Sequence, residues 1–261
     1  YAVVRLEDEK VLGVVGESYR IIQNRECFDF LDSIVGEGQA LYHTAGSLFG
    51  GSRIFITLKL PEDSVIGDDK VERYVLLASS HDGSLALTAR MTGVRVVCAN
   101  TLAVALGRET QQSVTIYHTE NYRDKVAEAR RVLGLADLYY KHMEREFNKM
   151  LDATMRESDM SRFVNSLFPD TQKAEGGTLK ASASTIKKRD RIRELARAGR
   201  GNKGVAGTRY SAFQAVTEFV THERNPNVSP GRDREDVRVN SMLFGSGRAL
   251  TQKAFDLLKV R

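Results

Sequence analysis

Residues 72–102 read ERYVLLASSHDGSLALTARMTGVRVVCANTL, and this stretch decides the fold. Two strand-like runs, Glu72–Ser79 and Leu85–Thr92, flank His81-Asp82-Gly83-Ser84. Asp82-Gly83 favours a two-residue hairpin connection, because both central residues tolerate positive φ. A third apolar run, Val94–Cys98, follows at once. It leads into Asn100 and Thr101, residue types that cap a helix. Strands joined this closely pair antiparallel, since a parallel crossover needs a much longer connection.

Outward from this centre the same reading continues. Ala2–Leu6 and Val11–Val15 form a predicted hairpin. Glu26–Val35 reads as a short helix with Phe28, Leu31 and Ile34 or Val35 on one face. Arg53–Leu60 alternates, with Ile54, Ile56 and Leu58 inward and Arg53, Phe55, Thr57 and Lys59 outward. Gly67-Asp68-Asp69-Lys70 is a turn cluster, and Ser113–His118 adds a strand. A long helix is predicted from about Asn121 to Met155. Tyr122, Val126, Ala129, Leu133, Ala136, Tyr140, Met143, Phe147 and Met150 recur along it in alternating steps of four and three, a heptad seam. Gly134 interrupts it at a cost of ~1 kcal/mol relative to Ala. Such a stripe serves either an oligomer contact or the covering of the protein's own sheet, and the second is the ordinary use.

The rest of the chain is helical. Ser161–Phe168 ends at Pro169, and residues 170–184 have the composition of a mobile loop. Thr185–Ala198, Ser211–His222 and Ala249–Leu258 read as helices. The expected fold class is α+β: a twisted, mostly antiparallel sheet with a long crossing helix and a helical C-terminal part. The expected division is residues 1–155 and residues 156–261, the second carrying a basic segment over 173–209.

Composition narrows the function classes. A chain of 261 residues with 41% hydrophobic and 8% aromatic content can bury a real core. Cys27 and Cys98 stand far apart without metal-ligand spacing, which fits a reducing cytosol rather than a disulfide scaffold. His43, His81, His118, His142 and His222 show no ligand spacing either, so neither a metal nor a cofactor is expected. No apolar run reaches the length of a membrane span, and no signal peptide is visible. The chain opens at Tyr1 inside a strand-like run without an initiator Met, so a preceding segment is expected.

Charge is the feature that points to a partner. Of 39 basic and 34 acidic residues, eleven basic and three acidic ones fall between Lys173 and Arg209. The remainder holds 28 basic and 31 acidic residues and is slightly acidic. On a helical wheel Ile192, Leu195 and Ala196 share one face of helix 185–198, while Arg189, Arg193 and Arg197 stack on another. The expected nucleic-acid contacts are Lys187, Lys188, Arg189, Arg193, Arg197, Arg200, Lys203 and Arg209, since clustered cations are the footprint of a phosphate-binding surface. A solvated helix face would carry the same charges.

No catalytic site is expected. His81, Asp82, Ser84, Cys98 and Asn100 offer the right residue types, but a nucleophile needs a base within reach and a group that orients it, and the spacing supplies neither. His81, Asp82 and Gly83 are instead assigned to a turn, and Asn100 and Thr101 to a helix cap. Gly199-Arg200-Gly201-Asn202-Lys203-Gly204 fits G-x-G-x-x-G but follows a basic helix rather than a strand, so a dinucleotide site is rejected. A P-loop is absent from the sequence. His222 and Glu218, four apart, read as a surface hydrogen-bonded pair.

The motifs also carry a resemblance. The HDGS and VRVVCANTL stretches resemble the phage/plasmid-like family catalogued as domain of unknown function 932. So do Leu12-Gly13-Val14-Val15-Gly16 with Tyr19 and Gln23-Asn24, the Gly-rich turn Thr44–Gly51, and Gly207-Thr208-Arg209-Tyr210 with Ala215–Phe219. The family usually has Asn where this chain has Gln214. The resemblance implies a protein of bacteriophages or mobile plasmids, hence a cytoplasmic location in a bacterial or infected cell, and supplies no activity.

Two functions are therefore expected. The first is a non-enzymatic, homo-oligomeric protein that holds single-stranded DNA on its basic surface, by analogy with the sheet-and-crossing-helix single-strand annealing proteins of recombination. The second is an interaction or assembly protein of the mobile element that acts on a host protein.

Overall fold

A computed structural model of the chain describes residues 1–36, 38–95, 100–102, 113–115, 122–173 and 178–260. Strands β1 (Ala2–Arg5) and β2 (Lys10–Val14) form the predicted hairpin, with Arg5 opposite Lys10 and Ala2 opposite Val14. Helix α1 (Asn24–Val35) follows, its start fixed by the Gln23 N–H donating to Glu26 Oε2 at 2.7 Å. Its buried face is Cys27, Phe30, Leu31 and Ile34, spaced i, i+3, i+4, i+7. Phe28 lies one position off this stripe and turns outward against Tyr42, contrary to the sequence reading.

The main sheet is antiparallel throughout, as expected. It runs β3 (Leu41–Leu48), β4 (Arg53–Ile66), β5 (Asp69–Ser80), β6 (Thr88–Arg95). Two short strands, β7 (Asn100–Leu102) and β8 (Ser113–Thr115), both pair with the far edge of β6. Alternation over 53–60 holds, with Ile54, Ile56, Leu58 and Leu60 buried. Residues 73–80 of β5 are buried on both faces, as befits a central strand.

Two turn assignments change. Ala78 pairs with Thr88, so residues 81–87 form a wider loop and Asp82-Gly83 is not a two-residue hairpin. The tight connection is Gly67-Asp68, between paired Ile66 and Asp69. Gly67 has φ +57° at the first central position, where a type II′ connection requires glycine. Asn100 and Thr101 are likewise strand residues opposite Arg95 and Val94, not a helix cap. Cys98 and His118 lie outside the described residues.

Helix α2 (Tyr122–Asp152) crosses the sheet. Ala136, Tyr140, Met143, Phe147 and Met150 of the predicted seam are buried inside the chain itself, with Leu133 half-buried. The side chains of Tyr122, Val126 and Ala129 lie outside the described residues. Val132 and Tyr139 are buried too, which widens the stripe beyond a coiled-coil seam to the face of a helix packed on a core. The described part of this seam, from Leu133 to Met150, is therefore used within the protein.

Helix α3 (Glu157–Leu167) stops before Phe168, the residue preceding Pro169. A small hairpin, β9 (Gln172–Lys173) and β10 (Leu179–Lys180), occupies part of the predicted loop. Helix α4 (Ala183–Ala198) is capped by Ser182, whose hydroxyl accepts from the Thr185 N–H at 3.0 Å. Helix α5 (Arg209–Glu218) is buried from Tyr210 to Glu218 and widens into a π-turn over Phe219–Glu223. Helices α6 (Arg234–Leu243) and α7 (Ser246–Leu258) complete the fold. One hydrophobic cluster runs without a break from Cys27 to Leu258. At its centre Phe147 of α2 meets Tyr210, Phe213 and Phe255 with ring centres 5.0–5.9 Å away.

Candidate nucleic-acid interface

The HDGS loop is a junction held by hydrogen bonds. His81 is buried, and its Nε2 lies 2.9 Å from Asn24 Oδ1 at the start of α1. The His81 N–H donates to the Ser52 carbonyl at 2.8 Å, and the Tyr19 hydroxyl to the Ser80 carbonyl at 2.7 Å. Asp82 Oδ1 accepts from the Ser84 N–H at 2.9 Å, an Asx turn in which Gly83 takes φ +75°. Burial holds the His81 imidazole below its ordinary range. The ring thus faces an amide, and no nucleophile is aligned on it among the described residues. Cys27 is buried and its thiol is pushed up to about 12, so it stays protonated. The described residues hold no group of three His, Cys, Asp or Glu side chains placed for a metal.

The fold separates the eight predicted cations. Arg189, Arg193 and Arg197 face α3 and the chain after it. Arg189 donates to the Phe168 carbonyl at 2.5 and 2.9 Å and pairs with Asp170 at 2.7 Å. Arg193 pairs with Asp190 at 3.1 Å, and Arg197 with Glu157 at 3.1 Å. Arg209 opens α5 and turns to the end of α7, donating to the Leu258 carbonyl at 3.3 Å. Arg200 and Lys203 are exposed on the glycine-rich loop. That loop is anchored by Asn202, fully buried, whose Nδ2 donates to the Leu195 carbonyl at 2.9 Å, and by Glu218, which accepts from the Arg200 N–H at 2.9 Å. Glu218 is buried rather than on the surface, where the sequence reading sets it beside His222; burial holds its carboxyl above the usual range.

Lys187 and Lys188 occupy a different flank of α4 and stand exposed beside a groove of about 900 Å³. Leu167 and Phe168 close one side, Asn240, Ser241, Gly245 and Ser246 the other. Phe219 lies in the wall, its ring edge-on to Phe168 with centres 6.4 Å apart. A shallower hollow lined by Lys187, Lys188 and Arg191 continues it past Phe219. The ionisable residues of the groove are Lys188, Glu223, Arg224 and Lys253. Glu223 is occupied: it accepts from Arg191 at 2.5 and 2.8 Å, and that guanidinium holds its carboxyl below the usual range.

Arg224 has no such neutralising partner among the described residues. The π-turn ends on it, through its N–H to the Phe219 carbonyl at 2.8 Å. Its guanidinium lies against two hydroxyls, 3.0 Å from Ser246 Oγ and 3.5 Å from Ser241 Oγ, and pairs with no described carboxylate. Burial alone holds it below the ordinary arginine range. Lys253 reaches in from α7, its Nζ donating to the Leu167 carbonyl at 3.0 Å. Neither residue stands out when charge is counted along the chain. Between residues 224 and 261 there are eight basic and four acidic residues, a milder excess that could have drawn attention to Arg224. Nothing local marks Lys253.

No helix among the described residues is long and apolar enough to cross a membrane. Comparison with known proteins finds no matching curated protein and no matching solved structure. One family model, described as Domain of unknown function (DUF932), matches residues 11–244, a span that takes in the Gly13 and HDGS motifs, the main sheet, the crossing helix and the groove residues from Leu167 to Ser241 but not Gly245, Ser246 or Lys253, and the chain belongs to that family.

Proposed function

We propose that the protein binds nucleic acid, single-stranded DNA in the first place, along the groove between α4 and the α6–α7 corner. The observation that carries this reading is Arg224, a half-buried guanidinium without a described carboxylate partner in a groove that also holds Lys188 and Lys253. Such a cation is stabilised by a phosphate, and a row of cations by a chain of phosphates. Phe168 and Phe219 supply apolar ring surface on which bases stack irrespective of sequence. In its finer form the proposal is an annealing role in recombination of a mobile element, in which backbone phosphates are held and base edges stay free to pair.

Titration with labelled single-stranded and duplex DNA at two salt concentrations tests it. With Lys187, Lys188, Arg224 and Lys253 on four phosphates, the log–log salt slope for a single strand is about −3, from ~0.7 per phosphate. Replacing Lys188, Arg224 and Lys253 by Ala flattens it by about two. Replacing Arg189, Arg193 and Arg197 changes it little, because those side chains are engaged by the protein. Wild type without salt-dependent binding to either DNA overturns the proposal.

A second reading, protein recognition, is favoured by the N-terminal hairpin. Leu6 is 94% and Val14 77% exposed there, with Tyr1 and Val11 also open. Exposed apolar strands of this kind pair with other chains. Leu6→Asp with Val14→Asp lowers the mass in solution if copies of the chain meet at this hairpin.

A further inference from the structure

A second group of arginines lies on the other side of α6. Arg53 opens β4 opposite Ser80, and Arg90 in β6 lies opposite Leu76, so both leave the same face of the sheet. Their guanidinium carbons each stand 5.4 Å from the ring centre of Phe244, the residue that ends α6. Arg248 follows four residues later in the first turn of α7.

The polar contacts of this cluster are incomplete. Arg53 donates to Ser84 Oγ of the HDGS loop at 2.7 Å and to Asn240 Oδ1. Among the described residues Arg90 reaches only the Leu243 carbonyl, at 3.4 Å. The Nε atoms of both are buried without a described acceptor. Neither guanidinium forms an ion pair among the described residues; Asp82 acts on Arg53 only from beyond pairing distance. Burial first, then the positive charges of Arg248 and Arg53, holds Arg90 below the ordinary arginine range. Stacking on an aromatic face offsets part of this cost, but like charges gathered out of water remain unfavourable until an anion joins them.

We propose that Arg53 and Arg90 form a phosphate-binding site, separate from the α4 groove, for the phosphoryl group of a nucleotide or of a nucleic-acid chain. Phosphate rather than carboxylate matches the chemistry. Arg53 and Arg90 bring two guanidinium charges without an ion pair among the described residues, and a phosphate, with up to two charges and more oxygens, matches them where a single carboxylate does not. The HDGS loop gains a role here, since Ser84 and Asn240 together aim Arg53. Ser241, the next residue on α6, supports Arg224 on the groove side.

Thermal unfolding of the full chain in inorganic phosphate and in chloride, at matched ionic strength, tests it. Phosphate also stabilises proteins generally by exclusion from their surface, so the decisive quantity is the difference between wild type and Arg90→Met, which keeps the bulk and removes the charge. Wild type gains several degrees more from phosphate than Arg90→Met, because a ligand bound to the native state raises its stability. Arg162→Met, at an exposed arginine of α3 paired with Asp159, keeps the full gain. Adenosine monophosphate acting where adenosine does not assigns the site to a nucleotide. An effect, beside that of inorganic phosphate, from an oligonucleotide without terminal phosphate but not from adenosine monophosphate assigns it to a backbone phosphodiester. Should Arg90→Met not fold, calorimetric titration of wild type with inorganic phosphate decides in its place, with a saturable heat of binding expected. Equal phosphate gains in wild type and Arg90→Met, or no heat of binding, overturn the site and leave arginines that merely pack on Phe244.

Discussion

The hydroxyl of Tyr140 lies between β5 and β6, 2.9 Å from the amide nitrogen of Tyr74 and 2.6 Å from its carbonyl oxygen. It also lies 2.9 Å from the Thr92 carbonyl across the ladder. A helix side chain thus completes the hydrogen bonding of the central sheet. The ring above it is touched by Arg73, itself held by Ser64 and Glu144 at 2.9 Å. Burial keeps the Tyr140 phenol protonated far above its ordinary range.

Tyr140→Phe removes the hydroxyl and leaves the Tyr74 N–H and neighbouring carbonyls unsatisfied in a dry core. The expected loss is about 1–3 kcal/mol of unfolding free energy. Urea unfolding of the folded variant checks it, with the slope unchanged and the midpoint lowered.

Gly13→Ala destabilises the N-terminal hairpin. A Cβ on Gly13 would lie 2.4 Å from Asp82 Cα and 3.0 Å from the His81 carbonyl oxygen, so backbone must move. A cost of about 1–3 kcal/mol is expected for such overpacking. Limited proteolysis reads it as faster cleavage within the first twenty residues, while the core helices stay protected.

Arg189→Ala acts on stability before it acts on binding. Its side chain is 12% exposed and holds both the Phe168 carbonyl and Asp170. Loss of a hydrogen-bonded, mostly buried cation costs about 1.5–3 kcal/mol. Single-strand affinity per folded molecule stays within about twofold, against a loss of at least tenfold for Arg224→Ala together with Lys188→Ala, at about 1 kcal/mol per phosphate contact.

Glu218→Gln raises stability at neutral pH. The carboxyl's folded-state pKa lies above its unfolded value, through burial. Its contribution is therefore fully present below the unfolded pKa of about 4.3 and is lost as pH rises through the folded value. The amide never ionises, and its carbonyl oxygen can still accept from the Arg200 N–H. Denaturation midpoints of wild type and variant converge near pH 4 and separate, with the variant ahead, at pH 7–8. Curves that stay parallel across this range contradict the assignment.

Much of the fold is legible in local periodicity. The alternation of Ile54, Ile56, Leu58 and the stripe through Tyr140, Met143, Phe147 are each set by one element's own geometry, so they appear before any partner is known. The α4 helix is legible for the same reason, with Ile192 and Leu195 inward and cations elsewhere. Turn chemistry is less decisive. Both Gly67-Asp68 and Asp82-Gly83 read as turns, but which is tight depends on where the pairing of β5 with β6 ends, and that is set by the contacts of the 81–84 loop with Asn24, Ser52 and Tyr19.

The candidate site was least legible, because electrostatic neutralisation happens between groups close in space and not along the chain. The sequence by itself determined an antiparallel α+β fold, its covering helix, and the placing of Lys187 and Lys188 away from the apolar face of α4. Tertiary structure alone decided that Glu157 and Asp170 meet Arg197 and Arg189, and that Glu223 meets Arg191. It also decided that Arg224, Lys253, Arg53 and Arg90, drawn from four separate segments, form no ion pair among the described residues. Carboxylates that fold opposite an arginine cancel its field within a few ångströms, and only the fold says which arginines they reach.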